Sequence, residues 1–366
     1  MLVEQILFAA VESIPQMRSD VTRAVEILRK GGVVALPTET VYGLGADALN
    51  PEAVAKIFAL KNRPTDHPLI VHISGIDKLS QWADEISPAA RILASRFWPG
   101  PLTMIFKRVP AVLDAVTGGQ DTIALRVPNH PLTLQVLAEF GGGVAAPSAN
   151  RFGKISPTRA EHVAEEFGDR VDYILDGGPC AVGLESTIVD LTSARPQILR
   201  LGAVTAEDID SALGHAGYTE GGGCVSREGE PAPPKTPGSL AAHYAPETPL
   251  HLVDSTELVT QVLELISLGR SVGVIARTPA PSDEVATGCA WVMISPEPAE
   301  YGRLLYATMR ELDHMRCDMI LVEAPPALKD WEAVADRLKR AASATHQASA
   351  GRAINAACFY DKDSGT

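Results

Sequence analysis

Residues 33–73 read VVALPTETVYGLGADALNPEAVAKIFALKNRPTDHPLIVHI. A β-branched run over 33–37 opens the stretch, a second over 69–73 closes it, and a helical pattern occupies 51–60 between them. In that helix Val54, Ile57, Phe58 and Lys61 fall at i, i+3, i+4 and i+7, a core-facing stripe that ends in a cation. Short strands mixed with helices in this way predict an α/β domain. The same alternation continues outward, with strands expected over 102–107, 123–127, 144–146, 173–176 and 186–190. Helices are expected over 20–30, 89–97, 131–140 and 159–167.

Beyond residue 212 the composition changes. Residues 221–249, GGGCVSREGEPAPPKTPGSLAAHYAPETP, hold too much Gly and Pro for a regular helix or a central strand and read as an extended linker. After it, strands over 250–253, 271–276, 291–294 and 319–323 alternate with helices over 258–267, 299–315 and 331–342. That order predicts a small Rossmann-like α/β module, although no GxGxxG follows its first strand. The chain is thus expected to divide into 16–212, a linker over 213–249 and a module over 250–350.

Length supports the division, since 366 residues at roughly 150 per domain allow two or three cores. Hydrophobic residues at 46% and charged residues at 21% are ordinary for a globular chain. A net charge of −13 argues against a protein whose task is to grip a polyanion, which needs clustered Lys and Arg. The 5 cysteines are widely spaced with no CxxC pair, which fits neither a disulfide scaffold nor a zinc ribbon. No apolar run approaches a membrane span and the N-terminus lacks the pattern of a secretory signal, so a cytoplasmic protein is expected.

Several short segments carry chemistry. In 36–45, LPTETVYGLG, a strand runs into two hydroxyls, a carboxylate and a phenol and then into two glycines, which suits close backbone approach to a ligand and equally suits a strand followed by a tight turn. Lys61, Arg63 and nearby Lys56 form a basic island in an acidic chain, fit for an oligophosphate or for capping a helix C-terminus. His67 and His72 follow it. In 146–150, APSAN, Ser148 and Asn150 are two apart and on an extended segment face one side. Ser156 and Thr158, around Pro157, are expected to cap the next helix. Thr122, Arg126 and Arg200 lie in strand-like runs, and Ser186 lies in GLESTIVD, residues 183–190. The phosphate-loop, nucleophile-elbow and HExxH signatures are all missing. The residues alone lead to an α/β enzyme, or binder, of a phosphorylated ligand.

In order along the chain, PTETVYGLG, KNRP, PLIVH, WPGPLT, ALRVP, PSANRFGKISPT and GLESTIVD closely resemble the YrdC-like family of threonylcarbamoyl-AMP synthases. The linker with TPGSLAAHYAP and the module after it resemble the family's longer, two-domain type. The resemblance implies an open twisted α/β sheet with a concave cavity, and an activity that joins L-threonine, bicarbonate and ATP into threonylcarbamoyl-AMP and pyrophosphate, for N6-threonylcarbamoyladenosine in tRNA. The family's Lys-x-Arg and Ser-x-Asn signature falls on Lys61, Arg63, Ser148 and Asn150, the expected catalytic set. By resemblance Thr40, His72, Arg126, Ala146 and Ser186 surround threonine. Arg63, His67, Thr122, Ser148, Ser156, Arg200 and the linker residue Tyr244 meet ATP, with the linker as a lid. Ser239 departs from the family, in which Met is common after the Pro-Gly.

No protein metal site is implied; Mg2+ is expected to arrive with ATP, and a threonylcarbamoyl-transferase machinery to accept the product. Neither membrane association nor stable nucleic-acid binding is expected. Two other readings stand beside this one. An RNA-binding factor conflicts with the acidic charge. A carbamoyl-transfer module would need zinc-finger cysteines that the chain lacks.

Overall fold

A computed structural model describes residues 17–193, 195–214, 219–220 and 233–344. They form two compact units: residues up to Arg151 together with Ser156–Ser239, and Phe152–Ile155 together with the chain from Leu240 onward.

The first unit begins with a helix over 17–29 (α1), followed by β1 (Val34–Leu36), β2 (Gly43–Asp47), α2 (Pro51–Lys61), β3 (Ile70–His72), α3 (Pro88–Phe97) and β4 (Leu102–Lys107). It continues through α4 (Asp114–Thr117), β5 (Thr122–Arg126), α5 (Pro131–Phe140), β6 (Val144–Ala145), α6 (Ala160–Phe167), β7 (Tyr173–Ile174), β8 (Thr187–Asp190), β9 (Gln197–Arg200), α7 (Ala206–Ala212) and β10 (Thr219–Glu220). The strands join into one 10-stranded sheet in the order β10-β9-β8-β4-β5-β3-β6-β2-β1-β7. Parallel and antiparallel pairs are mixed: β3 runs parallel to β5, whereas β4 runs antiparallel to β5 and parallel to β8.

Local chemistry accounts for α2. The Asn50 side chain accepts from the amides of Glu52 and Ala53, Pro51 opens the first turn, and Asn62 closes the helix in the left-handed region at φ 51°. The whole expected stripe is buried, Lys61 included.

Burial differs along the sheet. Strand β1 is covered on both faces: Val33 and Ala35 pack with Ile57 and Val163, whereas Val34 and Leu36 pack with Leu28 and Val136. In the central strands, Val71, Met104, Leu125 and Val189 face the largest core, with Phe58 and Leu93. Alternation turns Ile70, Ile105, Ala124 and Ile188 to the opposite face, where they form a small separate cluster. That smaller cluster is the floor around which the candidate site is built.

The stretch around Gly43 and Gly45 is a strand, not only a turn. β2 lies between β1 and β6, and a Cβ on Gly45 would come within 2.9 Å of both Leu36 Cδ1 and Val144 Cγ1. One on Gly43 would lie 3.2 Å from the Ala146 Cβ. The close approach these glycines permit is therefore of strand to strand.

The second unit contains β11 (Leu250–Val253), α8 (Leu258–Ser267), β12 (Val272–Ala276), α9 (Asp283–Gly288), β13 (Ala290–Met293), α10 (Pro298–His314), β14 (Met319–Glu323) and a final helix over 332–344 (α11). Its four strands are all parallel in the order β11-β14-β12-β13, as the Rossmann-like expectation requires. Phe152–Ile155, expected in the first domain, is grouped with this unit: the Ala245 amide donates to the Gly153 carbonyl at 3.0 Å and Arg310 Nη2 to the Ile155 carbonyl at 2.5 Å.

The linker expected over 213–249 also divides. Residues 233–239 go with the first unit, where Lys235 Nζ meets Asp66 at 2.9 Å, and those from Leu240 go with the second. Residues 215–218 and 221–232 of that linker lie outside the described residues, as do 345–350 of the expected module. Among the described residues no helix is long and apolar enough to cross a membrane.

Candidate active site

Polar residues flank the apolar floor at two-residue steps along its strands. His72 follows Ile70, Thr122 and Arg126 bracket Ala124, Thr103 precedes Ile105, and Ser186 precedes Ile188, so alternation puts their side chains on the floor's face. Ile70 pairs in register with Ala124, which pairs with Ile105, and His72 pairs with Arg126. The Ala146 amide donates to the Ile70 carbonyl at 2.9 Å, bringing the end of β6 against this row.

Arg126 and Glu39 form a buried ion pair. Arg126 Nη2 lies 2.7 Å from Glu39 Oε1, and Nε donates to the Gly100 carbonyl at 3.2 Å. Burial, and then the positive charge of Arg126, push the His72 imidazole down to about 3, so it is neutral at pH 7. Its Nδ1 is buried and has no hydrogen-bond partner among the described residues. Thr40 is buried in the loop before β2, its hydroxyl 2.9 Å from that of Thr38. Because the Thr38 hydroxyl donates to the Val41 carbonyl at 2.6 Å, Thr40 is the donor in that pair.

Ser186 is held from two sides. Its Oγ is 2.7 Å from Thr103 Oγ1 and accepts from Arg200 Nη2 at 3.1 Å, while Arg200 Nε donates to the Ser186 carbonyl at 3.0 Å. Arg200 Nη1 reaches the Pro237 carbonyl at 2.9 Å, anchoring residues 233–239 beside β9. Ser156 does not cap a helix; its hydroxyl donates to Glu185 Oε1 at 2.6 Å. Thr158 does not cap α6 either, whose N-cap residue is Arg159.

The Lys61 amine is buried, with 1% relative exposure, rather than an open pocket charge. It donates to the Ser148 carbonyl at 2.5 Å and also to the Asn150 carbonyl. Lys61 thus meets Ser148 and Asn150 through their backbone oxygens. Burial first, then neighbouring Arg63, pull the Lys61 pKa well below the ordinary ammonium range. Arg63 is also buried, Nη2 donating to the Pro68 carbonyl at 2.9 Å. Burial and Arg63 lower the pKa of half-buried His67 as well. Ser148 itself is half-buried and bridges to Gly43.

The chain as a whole is similar to known proteins. The Sua5–YciO–YrdC family profile, described as telomere recombination, matches residues 26–202, and the profile of the threonylcarbamoyl-AMP synthase C-terminal domain matches 204–343. The chain is 39% identical over 324 residues to the threonylcarbamoyl-AMP synthase of Pyrococcus abyssi, covering 87% of this chain and 92% of that protein. It belongs to the threonylcarbamoyl-AMP synthase family. The Bacillus subtilis synthase is 40% identical over 328 residues, 88% of this chain and 92% of the relative. The crystal structure of P. abyssi Sua5 complexed with L-threonine matches with a TM-score of 0.80 and 36% identity, over 89% of this chain and 94% of that one.

Within this synthase-family chain, all the expected site residues except Tyr244 belong to the first unit. Tyr244 lies in the second, its ring 4.1 Å from that of His243 and 5.9 Å from that of Tyr306, with Arg337 5.2 Å above it. Three polar partners were given no role from sequence: Glu39, noted only as the carboxylate of residues 36–45, and Glu185 and Thr103. Each stands inside a quoted motif, PTETVYGLG, GLESTIVD or WPGPLT. The available signal was an acid or hydroxyl flanking an apolar strand.

Proposed function

We propose that the protein is an L-threonylcarbamoyladenylate synthase, a cytoplasmic nucleotidyltransferase that condenses L-threonine, bicarbonate or CO2, and ATP to threonylcarbamoyl-AMP and pyrophosphate. The observation that carries this reading is the convergence of buried Arg126, neutral His72 and Ser186 on one sheet face, in a chain similar along most of its length to the threonine-complexed Sua5. Its product would pass to the machinery that forms N6-threonylcarbamoyladenosine in tRNA.

In the proposed reaction the threonine amine attacks CO2, forming the N–C bond of a carbamate and releasing a proton; starting from bicarbonate, water leaves in its place and no net proton is released. A carbamate oxygen then attacks the α-phosphorus of ATP, and the bond to the β-phosphate oxygen breaks as pyrophosphate leaves. No enzyme side chain becomes covalently attached. The protein's part is orientation and charge. Arg126 holds the threonine carboxylate, with Thr40, His72, the Ala146 backbone and Ser186 around the amino acid. Arg63, His67, Thr122, Ser148, Ser156 and Arg200 meet the nucleotide, and Lys61 acts by setting the backbone of Ser148 and Asn150.

Exclusion of water from the site would protect the carbamate. Mg2+ bound with ATP would neutralise charge at the transferring phosphoryl group. Incubation of the pure protein with ATP, threonine and bicarbonate tests the proposal. Threonine-dependent pyrophosphate and a threonylcarbamoyl-AMP product are expected, and their absence overturns it.

A further inference from the structure

Glu39 is a buried carboxylate, with only 6% of its surface exposed, on the loop that follows β1. Such a charge is costly unless each oxygen is matched. Here Oε2 accepts a hydrogen bond from the Asn129 amide at 2.9 Å, and Oε1 lies 2.7 Å from Arg126 Nη2 as an ion pair held by charge and proximity, without hydrogen-bond alignment. The Glu39 carbonyl also accepts from the Val182 amide at 2.7 Å. One residue thus ties together the loop after β1, the turn after β5 and the loop before β8.

The consequence falls on Arg126. With Nη2 drawn to the Glu39 charge and Nε hydrogen-bonded to the Gly100 carbonyl, the guanidinium is held at two points. A free arginine side chain would sample many rotamers, and fixing one before the ligand arrives removes that cost from binding. The Nε–Nη2 edge, the usual fork for a carboxylate, is the edge already committed. The Nη1 side remains to meet an incoming anion.

We propose that Glu39 is a positioning residue: it holds Arg126 so that its Nη1 side meets the carboxylate of the amino-acid substrate. This rests on the reading that Arg126 receives that carboxylate. Glu39 touches no reacting atom. Its effect is expected on capture of the amino acid, with capture of the nucleotide left intact.

A double-mutant cycle on the full-length protein tests this, with threonine and ATP affinities measured separately by calorimetry and KM and kcat by pyrophosphate release. Glu39→Gln is expected to raise the threonine Kd and KM about tenfold, equivalent to roughly 1.4 kcal/mol, while the ATP Kd stays within about twofold. Arg126→Ala should weaken threonine at least as much, and adding Glu39→Gln to it should cost nothing further. Unchanged or tighter threonine binding in Glu39→Gln overturns the inference, because Glu39 would then be idle or would compete with the substrate. Additive losses, or an equal loss of ATP affinity, overturn it too.

Normal threonine binding by Arg126→Ala overturns the underlying carboxylate assignment instead, a result the single Glu39 variant cannot mimic. If Glu39→Gln does not fold, Glu39→Asp, which keeps the charge on a shorter arm, takes its place in the cycle. Failure of both to fold makes Glu39 a folding residue and ends the proposal.

Discussion

The Lys61 amine and the Ser148 carbonyl, separated by 87 positions in sequence, lie 2.5 Å apart in the folded chain. A second bond, to the Asn150 carbonyl, makes Lys61 a cross-brace from α2 to the segment after β6. Lys61→Met deprives two backbone oxygens of this buried donor, so it is expected to cost about 1–3 kcal/mol of stability as well as most of the activity. An open pocket cation would have left the fold untouched. Urea unfolding of variant and wild type decides, and equal midpoints would show that the brace contributes nothing.

Gly202 is fixed by contact rather than by backbone angle. A Cβ there would lie 2.4 Å from the Thr187 amide nitrogen and 2.6 Å from the Glu185 carbonyl, both main-chain atoms beside Ser186. Gly202→Ala must therefore push β8 away, at about 1–3 kcal/mol, and shift Ser186. Lower thermal stability together with weaker threonine binding is expected; an alanine variant equal to wild type in both would refute the clash.

Ser156→Ala removes the 2.6 Å hydrogen bond to buried Glu185. The expected loss is about 1.5–3 kcal/mol, as for a hydrogen bond to a charged group, with a raised ATP Kd. Glu185→Gln still offers an amide oxygen to the Ser156 hydroxyl and should lose less. Calorimetric ATP titrations and denaturant midpoints on both variants check the order, and a reversed order would count against the bond.

His72 makes stability depend on pH. Its folded value of about 3 lies below the ordinary 6.5, so as pH falls from 6.5 toward 3 the unfolded chain takes up a proton that the folded one refuses. Its contribution is complete above 6.5 and is lost through that window, at up to about 1.4 kcal/mol per pH unit. His72→Asn should flatten the slope but leave the contributions of His67 and His130, whose pKa values are also lowered. Urea midpoints from pH 7 to 4 measure it. An unchanged slope in the variant would mean that His72 titrates alike in both states.

How far the sequence could be read depended on how local each cause was. Helix α2 was legible because Asn50, Pro51, the buried stripe and Asn62 all act within a few residues of one another. The parallel module of the second unit was legible from its alternating period. Helix α7 was missed although Thr205 and Asp208 form a capping box, a local signal that went unread. Strand β2 was missed for a different reason: its glycines weaken strand propensity, and it exists because β1 and β6 pair with it from either side.

Residue type and order alone determined the α/β class and the motif blocks that mark the family, because periodicity, turn chemistry and motif spacing are written along the chain. Only the tertiary structure decided what each charge does. Lys61 faces two carbonyls, Arg126 faces Glu39, Arg200 holds Ser186, and Ser156 meets Glu185 instead of a helix end. Those partners come from distant segments, and a polar group's role is set by burial and by the atoms that face it, which sequence neighbours do not specify.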